Sequence, residues 1–354
     1  MLTCLLVLIF TTILFDQAYA DTIWVDESWH HLSQTLDCDG FQLVVDADVL
    51  DVSENTSAQE YHVASISNEF IRKRMKEIDW SKLGCGTQQL TWYPDDGYLG
   101  FSSGEGLSHS NGSICIPGLF GVSLVLDYSL YAKIYDGYED FDNSYEPLGS
   151  LTYQDMAVYA QDVAGTCGFQ LGKPVRSQRF TDVKGICEAF EKVRLSIAPE
   201  VAEGYQFINL FYPVYYHGLR LYSERMPAAG GDKQIILMGL WLAISRDHGL
   251  VHIQGPMLDW EQFKPQGQPQ RILTEEEILQ CVQRHYSNML LTRLERIRIH
   301  SMAVEYVPIT GDVEIVDSYT LYPVWVLKIT YENDNGTKFT NNIGFHAVNG
   351  NPLF

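Results

Sequence analysis

Phe41-Gln-Leu-Val-Val-Asp-Ala-Asp-Val49 places Phe41, Leu43, Val45, Ala47 and Val49 at alternate positions. A period of two predicts a strand with one face buried. Tyr61 to Ile66 reads as its partner strand. Ser67 or Asn68 then offers an N-cap, and a helix is predicted to about Trp80 with Phe70, Ile71, Met75 and Ile78 as its stripe. Leu90 to Tyr93 and Tyr98 to Phe101 flank Pro94-Asp-Asp-Gly97, whose Pro and Gly suit a turn. Gly104 to Gly118 reads as a loop, and Leu119 to Ala132 as another strand.

The second half carries an internal repeat. Leu151-Thr-Tyr-Gln-Asp-Met156 and Leu273-Thr-Glu-Glu-Glu-Ile278 each open with Thr and place an acid three residues later. That is the pattern of a capping box, in which the hydroxyl and the carboxylate satisfy each other's backbone amides. Helical stripes follow: Met156, Val158, Tyr159 and Val163, then Ile278, Val282, Tyr286 and Met289. After the first come a helix near Thr181 to Val193 and strands Tyr205–Tyr215, Leu219–Glu224, Gln234–Ser245 and Gly249–Gln254. After the second come strands Arg293–Val307, Thr320–Tyr331 and Phe339–Val348. Asp247-His-Gly249 and Asn333-Asp-Asn-Gly336 supply hairpin turns.

Parity refines two of these strands. Ile297, Ile299, Ala303, Val307 and Ile309 share one face, and Arg296, Arg298 and His300 share the other. One side of the sheet should therefore lie against the helix and the other against solvent. Leu321 to Leu327 is apolar on both faces and reads as central. Pro323 cannot donate a ladder bond, which places it at the strand's first ordered position.

The chain has 354 residues. Leu5 to Phe15 is an apolar run broken only by Thr11 and Thr12, and Ala18-Tyr19-Ala20 follows it as a cleavage pattern. Residues 1–20 therefore read as an export signal, too short to span a bilayer comfortably. No Lys or Arg precedes the run, since the first basic residue is Arg72. A start site upstream therefore stays open. Cleavage removes one acid, Asp16, so 45 − 1 = 44 acids face 24 bases. A chain this acidic is a poor match for nucleic acid, whose binding draws on clustered Lys and Arg. Between Asp21 and Ile71 lie 11 acids and no Lys or Arg, a charge that suits a cationic partner or solubility.

Six cysteines remain after cleavage: Cys38, Cys85, Cys115, Cys167, Cys187 and Cys281. An even count in an exported chain permits three disulfides in 15 pairings, with Cys167–Cys187 the first candidate by proximity. Cys167 and Cys281 also fit as small core residues. Ile134 to Leu148 mixes Tyr135, Tyr138, Phe141 and Tyr145 with acids, without the spacing of a calcium loop. It reads as a linker at 134–149. An α+β domain at 21–133 precedes it, and helix-plus-sheet repeats at 150–260 and 270–354 follow. The predicted class is α+β, with a helix packed on an antiparallel β-sheet repeated two or three times.

The segments Tyr322-Pro-Val-Trp325 and His346-Ala-Val-Asn-Gly350 resemble the PepSY-like and YycI-like repeats of exported Gram-positive proteins. Those repeats carry Asn where this chain has His346. The mature chain also resembles an uncharacterised family of exported proteins from gut Clostridia. That likeness rests on Val45-Asp-Ala-Asp-Val49, the Thr152 helix, Tyr205-Gln-Phe, His217-Gly-Leu, the Thr274 helix and Val304-Glu-Tyr-Val-Pro308. The resemblance implies a non-enzymatic module acting by contact with a protein outside the cytoplasmic membrane, with no cofactor.

The chain lacks nucleophile-elbow and phosphate-loop motifs. His248 and His252 flank a hairpin Gly and read as turn residues. His30-His31 reads as a mobile arm near Trp24 and Trp29. Cys115 with His109 is a weak dyad, and Asp95-Asp96 and Asp46/Asp48 are carboxylate pairs among many. Asp46 and Asp48 share the solvent face of their strand. The basic stretch Arg284 to His300 reads as counter-charge to the chain's own acids. Asn55, Asn111 and Asn335 begin N-x-[ST] triplets that carry little in a bacterial export context. These patterns name no catalytic, binding or metal residue. The leading expectation is a binding or regulatory module presenting a sheet face or edge. The alternatives are a secreted hydrolase using carboxylates or a metal, and a carrier of a small ligand or lipid.

Overall fold

The computed structural model describes residues 24–38, 40–52, 56–64, 88–93, 98–103, 112–115, 122–125, 153–167, 170–174, 176–192, 196–221, 234–235, 239–246, 249–255, 262–288, 294–310 and 318–354. The export signal, the helix expected after Ser67, Thr152, the segment 134–149 and the Asp247–His248 turn lie outside them. In chain order the strands are β1 (Trp29–Cys38), β2 (Phe41–Leu50), β3 (Ser57–Ala64), β4 (Gln88–Tyr93), β5 (Tyr98–Ser103), β6 (Gly112–Cys115), β7 (Val122–Val125), β8 (Gln170–Leu171), β9 (Arg176–Phe180), β10 (Phe207–Tyr216), β11 (Leu219–Leu221), β12 (Gln234–Ile235), β13 (Gly239–Ser245), β14 (Gly249–Gly255), β15 (Phe263–Arg271), β16 (Leu294–Thr310), β17 (Ser318–Asn333) and β18 (Lys338–His346). The helices are α1 (Tyr153–Cys167), α2 (Val183–Lys192), α3 (Pro199–Ala202) and α4 (Glu275–Ser287). The protein is thus mostly β with a few helices. A regular helix-on-sheet repeat is not clearly drawn by it.

The chain forms two discontinuous units. One comprises Met1–Val25, Ile66–Val214 and Met238–Leu258, the other Asp26–Ser65, Tyr215–Leu237 and Asp259–Phe354. In the first unit an antiparallel sheet runs β9-β10-β13-β14-β7-β6-β5-β4. Central β10 is buried along nearly its whole length, as a strand covered on both faces must be. On α1, Met156, Ala160 and Ala164 are buried at four-residue spacing. The expected stripe residue Val158 is instead 51% exposed. Two alanines in the stripe were too small to announce themselves beside a valine.

In the second unit β16 and β17 form a long antiparallel spine. β2 lies parallel to the first part of β16, and β1 pairs antiparallel with β2. β17 pairs first with β3 and then with β18, while β15 pairs with β3. β3 is therefore not the partner of β2. The β2 alternation holds, with Phe41, Leu43, Val45, Ala47 and Val49 buried. Helix α4 covers this face, burying Ile278, Leu279, Val282 and Tyr286. Its capping box forms as expected, with the Thr274 hydroxyl accepting from the Glu277 amide and the Glu277 carboxylate accepting from the Thr274 amide. Arg271 donates two bonds of 2.8 Å to the same carboxylate.

Two parity expectations fail for stated reasons. Opposite Ile329 and Lys328 of β17, β16 has an extra residue between Ile299 and Ser301. The bulge shifts the alternation. Met302, Val304 and Tyr306 therefore continue the face of Ile297 and Ile299. Val307 and Ile309 turn to the other face and pack with Val324, Val326, Leu353 and Phe354. Pro323 sits inside β17 rather than at its start. Its carbonyl accepts from the Ala347 amide at 2.7 Å, so its missing N–H falls on that same edge. There the partner changes from β3, which ends at Leu321, to β18, which begins at Val324.

The segments that carried the family resemblance lock α4 to the sheet. Trp325 Nε1 donates to the Leu273 carbonyl at 2.9 Å, and the Leu273 amide donates to the Ala347 carbonyl at 2.8 Å. Gly350 has φ +72°, and a Cβ there would overlap Cys281 Sγ. Cys38, Cys187 and Cys281 are free thiols, so the Cys167–Cys187 disulfide does not form. The two cysteines are near in sequence, but strands β8 and β9 intervene between α1 and α2.

Candidate functional site

The segment read as a mobile arm is strand β1, paired with β2 over ten positions from Trp29↔Leu50 to Cys38↔Phe41. Its periodicity is faint because both its faces are largely exposed, with only Leu32, Leu36 and Cys38 half-buried. Among the described residues β1 pairs with β2 alone. Its outer edge is thus paired with no other described strand, and unpaired edge N–H and C=O groups are a template for a further strand.

Three clamps hold this strand. At its start, Glu27 is bound by Arg220 Nη2 at 2.8 Å and by the Tyr215 hydroxyl at 2.5 Å. Arg220 Nη1 reaches Glu305 at 3.4 Å. The Arg220, Glu27 and Glu305 side chains are only 8%, 5% and 7% exposed, which makes this a buried ion cluster. Burial works against the guanidinium's charge, but Glu305 and Glu27 outweigh it and push its pKa up. Burial also pushes the Tyr215 phenol well up, so it stays a donor. Trp29 lies over the guanidinium, 5.4 Å from ring centroid to Cζ.

The second clamp is His30, whose Nδ1 meets Asp51 at 2.5 Å and whose Nε2 meets Glu275 of α4 at 3.2 Å. Ser28 also donates to Asp51. The third is His31, with Nδ1 on Asp48 at 3.1 Å and Nε2 on Asp46 at 3.2 Å. A ring with a carboxylate on each nitrogen is a double donor, which only the imidazolium can be. Both histidines are accordingly shifted upward, chiefly by the bond to Asp51 for His30 and to Asp48 for His31. Arg298 completes the surface with a 3.4 Å contact to Asp46.

The other edges of this unit are guarded. β15 carries Pro265 and Pro269, a Gly267 at φ +79° and a register shift between Gln266 and Gln270. On β18 the Asn342 amide bonds the Asn341 side chain, the Gly344 amide bonds the Phe354 carbonyl and the His346 amide bonds the Asn351 carbonyl. β12 has only two residues. Prolines, bulges, covering loops and short length are the devices that close sheet edges. β1 has ten residues and no proline, and among the described residues no loop is bonded to its outer edge.

Asp46 and Asp48 lie on the solvent face as expected, and the Arg298 and Arg296 contacts to Asp46 and Glu332 fit the counter-charge reading. His248, His109, Asp95 and Asp96 lie outside the described residues. His252 is in β14 opposite Ala243, and Cys115 is in β6 opposite Tyr98. No group of three or more His, Cys, Asp or Glu among the described residues is placed to hold a metal ion. Sequence reasoning missed the Arg220–Glu27–Glu305 cluster. Its members are scattered along the chain, and the isolated Arg220 in an apolar hairpin was its one visible sign.

No family model and no curated protein matches the sequence. Among solved structures, the chain is similar to the 1.45 Å crystal structure of an uncharacterized protein from Eubacterium rectale. The match has a TM-score of 0.57 and 13% identity, and it covers 96% of this chain and 98% of that one. The two share a fold across nearly their whole lengths.

Proposed function

We propose that this chain is an exported, non-enzymatic binding module that contacts a partner protein outside the cytoplasmic membrane by strand addition at β1. The observation that carries the reading is the contrast between edges: three are blunted or covered, and the longest is left open while being clamped from below by Arg220, His30 and His31. An extended segment laid along β1 gains main-chain hydrogen bonds without any change in the fold. The signal-like residues 1–20 support export, and no helix among the described residues is long and apolar enough to cross a membrane. The helix-and-strand likeness to exported repeat proteins belongs to the same proposal.

The test is site-specific photo-crosslinking on native cell envelopes. A photoreactive residue at Thr35 of β1 should capture one envelope or secreted protein reproducibly, and the same group at Gln268 of β15 should not. Equal capture from both positions, or none from Thr35 at ample protein concentration, overturns the reading.

A further inference from the structure

Residues directly opposite each other in paired strands share a face of the sheet. The β1–β2 register therefore sorts β1 into two rows. His30, Leu32, Gln34, Leu36 and Cys38 lie with Phe41, Leu43, Val45, Ala47 and Val49 on the face that α4 covers. Leu32, Leu36 and Cys38 are its half-buried members. Trp29, His31, Ser33, Thr35 and Asp37 lie on the other face, with Asp46 and Asp48 of β2. A strand added beyond β1 extends both rows. On the α4 face its side chains stand beside Leu32 and Leu36. On the other they stand beside Asp37 and about 10 Å, two strand spacings, from Asp46 and Asp48. A Lys or Arg side chain leaning inward and an aspartate leaning outward meet across that distance.

On this second face the acids stand at the β1 side and the bases behind them, with Arg296 and Arg298 on β16 and Lys328 on β17. Asp37, Asp46 and Asp48 are met there by Arg298, on Asp46, and by one imidazole shared between Asp46 and Asp48. The Asp48 side chain is 72% exposed. The strands that carry these acids add no base of their own, since no Lys or Arg occurs between Asp21 and Ile71.

Resting on the edge reading above, we infer that the segment received by β1 is an extended strand alternating apolar residues with Lys or Arg. Its apolar row lies on the α4 face beside Leu32 and Leu36, and its basic row on the face of Asp37, Asp46 and Asp48. Backbone bonds would give such a segment its register, and the two unlike faces would give it its specificity. The acidic face by itself would attract any cation; the strand edge is what demands an extended one with period two.

The experiment pans a randomised decapeptide display library on the full mature chain. Enriched peptides should alternate apolar and basic residues. Their affinity should fall about tenfold for Asp48→Lys and again for Asp37→Lys, and should weaken with added salt. Adjacent residues of β1 direct their amides to opposite edges. Of Ser33→Pro and Gln34→Pro, the variant that keeps the native circular dichroism spectrum and melting temperature is therefore the one that blocks the outer edge, and it should abolish binding. Enriched peptides that need the open edge but lack basic residues would overturn the cationic partner and leave the edge reading standing. Peptides indifferent to both proline variants, or no enrichment at all, would overturn both. Loss of binding in the charge variants with no period-two pattern would show simple electrostatic attraction and overturn the inference.

Discussion

Arg220→Met takes away a buried cation together with its contacts to Glu27 and Glu305. Removing one member of a buried ion cluster costs about 3–5 kcal/mol, and urea denaturation should show a loss of that order. Arg271→Met breaks an exposed pair with Glu277 and should cost far less, because solvent screens that pair. Equal effects would mean that the Arg220 cluster is solvated. His30 and His31 make a second prediction. Each has its pKa raised above 6.5 in the folded chain, so the folded state holds the proton more tightly than the unfolded state. The stabilisation is then complete below about pH 6.5 and is lost as pH rises through the folded value. The groups facing them are Asp51 and Glu275 for His30, and Asp46 and Asp48 for His31, with Arg298 behind Asp46. Amide exchange in β1 should therefore quicken from pH 6.5 upward, beyond the ordinary base-catalysed increase, and the double variant His30→Asn, His31→Asn should lose that dependence. An identical pH profile in the variant would refute the clamp.

At the scale of elements, α4 was legible because its signals are local. Thr274 and Glu277 are three residues apart, and the stripe Ile278, Val282 and Tyr286 repeats at four. Thr274→Ala should cost about 1 kcal/mol of stability in thermal melts. Strand β2 was legible for the same reason, since a buried face against a polar one leaves a clean alternation. β1 was not, because a strand exposed on both sides has no burial pattern to print. Its pairing is set by β2 and by charges contributed from Asp46, Asp48, Asp51 and Glu275. The parity of β16 was read correctly as far as Ile299 and lost beyond it, because a bulge leaves no mark in composition. Gly350 was noticed as part of a motif, and its physical reason needed the fold: a positive φ and the Cys281 sulfur beneath it. Gly350→Ala should therefore lower the melting temperature, whereas Cys281→Ala, which removes that sulfur, should partly rescue it.

At the scale of the whole molecule, the arrangement of edges is the feature that relates the fold to the proposed function. Composition shows an acidic chain, the signal pattern suggested export and the resemblance implied action by contact, but none of them had the means to say which edge the sheet leaves open. That depends on which strands pair, and pairings such as β1 with β2 beside a parallel β16 join residues some 250 positions apart. Residues 351–354 have a clear part in this account, since they bond the outer edge of β18 at Gly344 and His346. Deleting them should open a second edge and produce concentration-dependent association in light scattering, absent from the intact chain. The central claim, that β1 is a clamped strand with an open outer edge, is tested most directly by residue-resolved hydrogen exchange across residues 29–38 of the intact mature chain at pH 6. Protection should alternate with a period of two, with amides bonded to β2 protected and their neighbours exchanging at nearly unprotected rates. Uniform protection would show that another segment already covers the edge, and uniform exchange would show that β1 is not held as a strand; either result contradicts it.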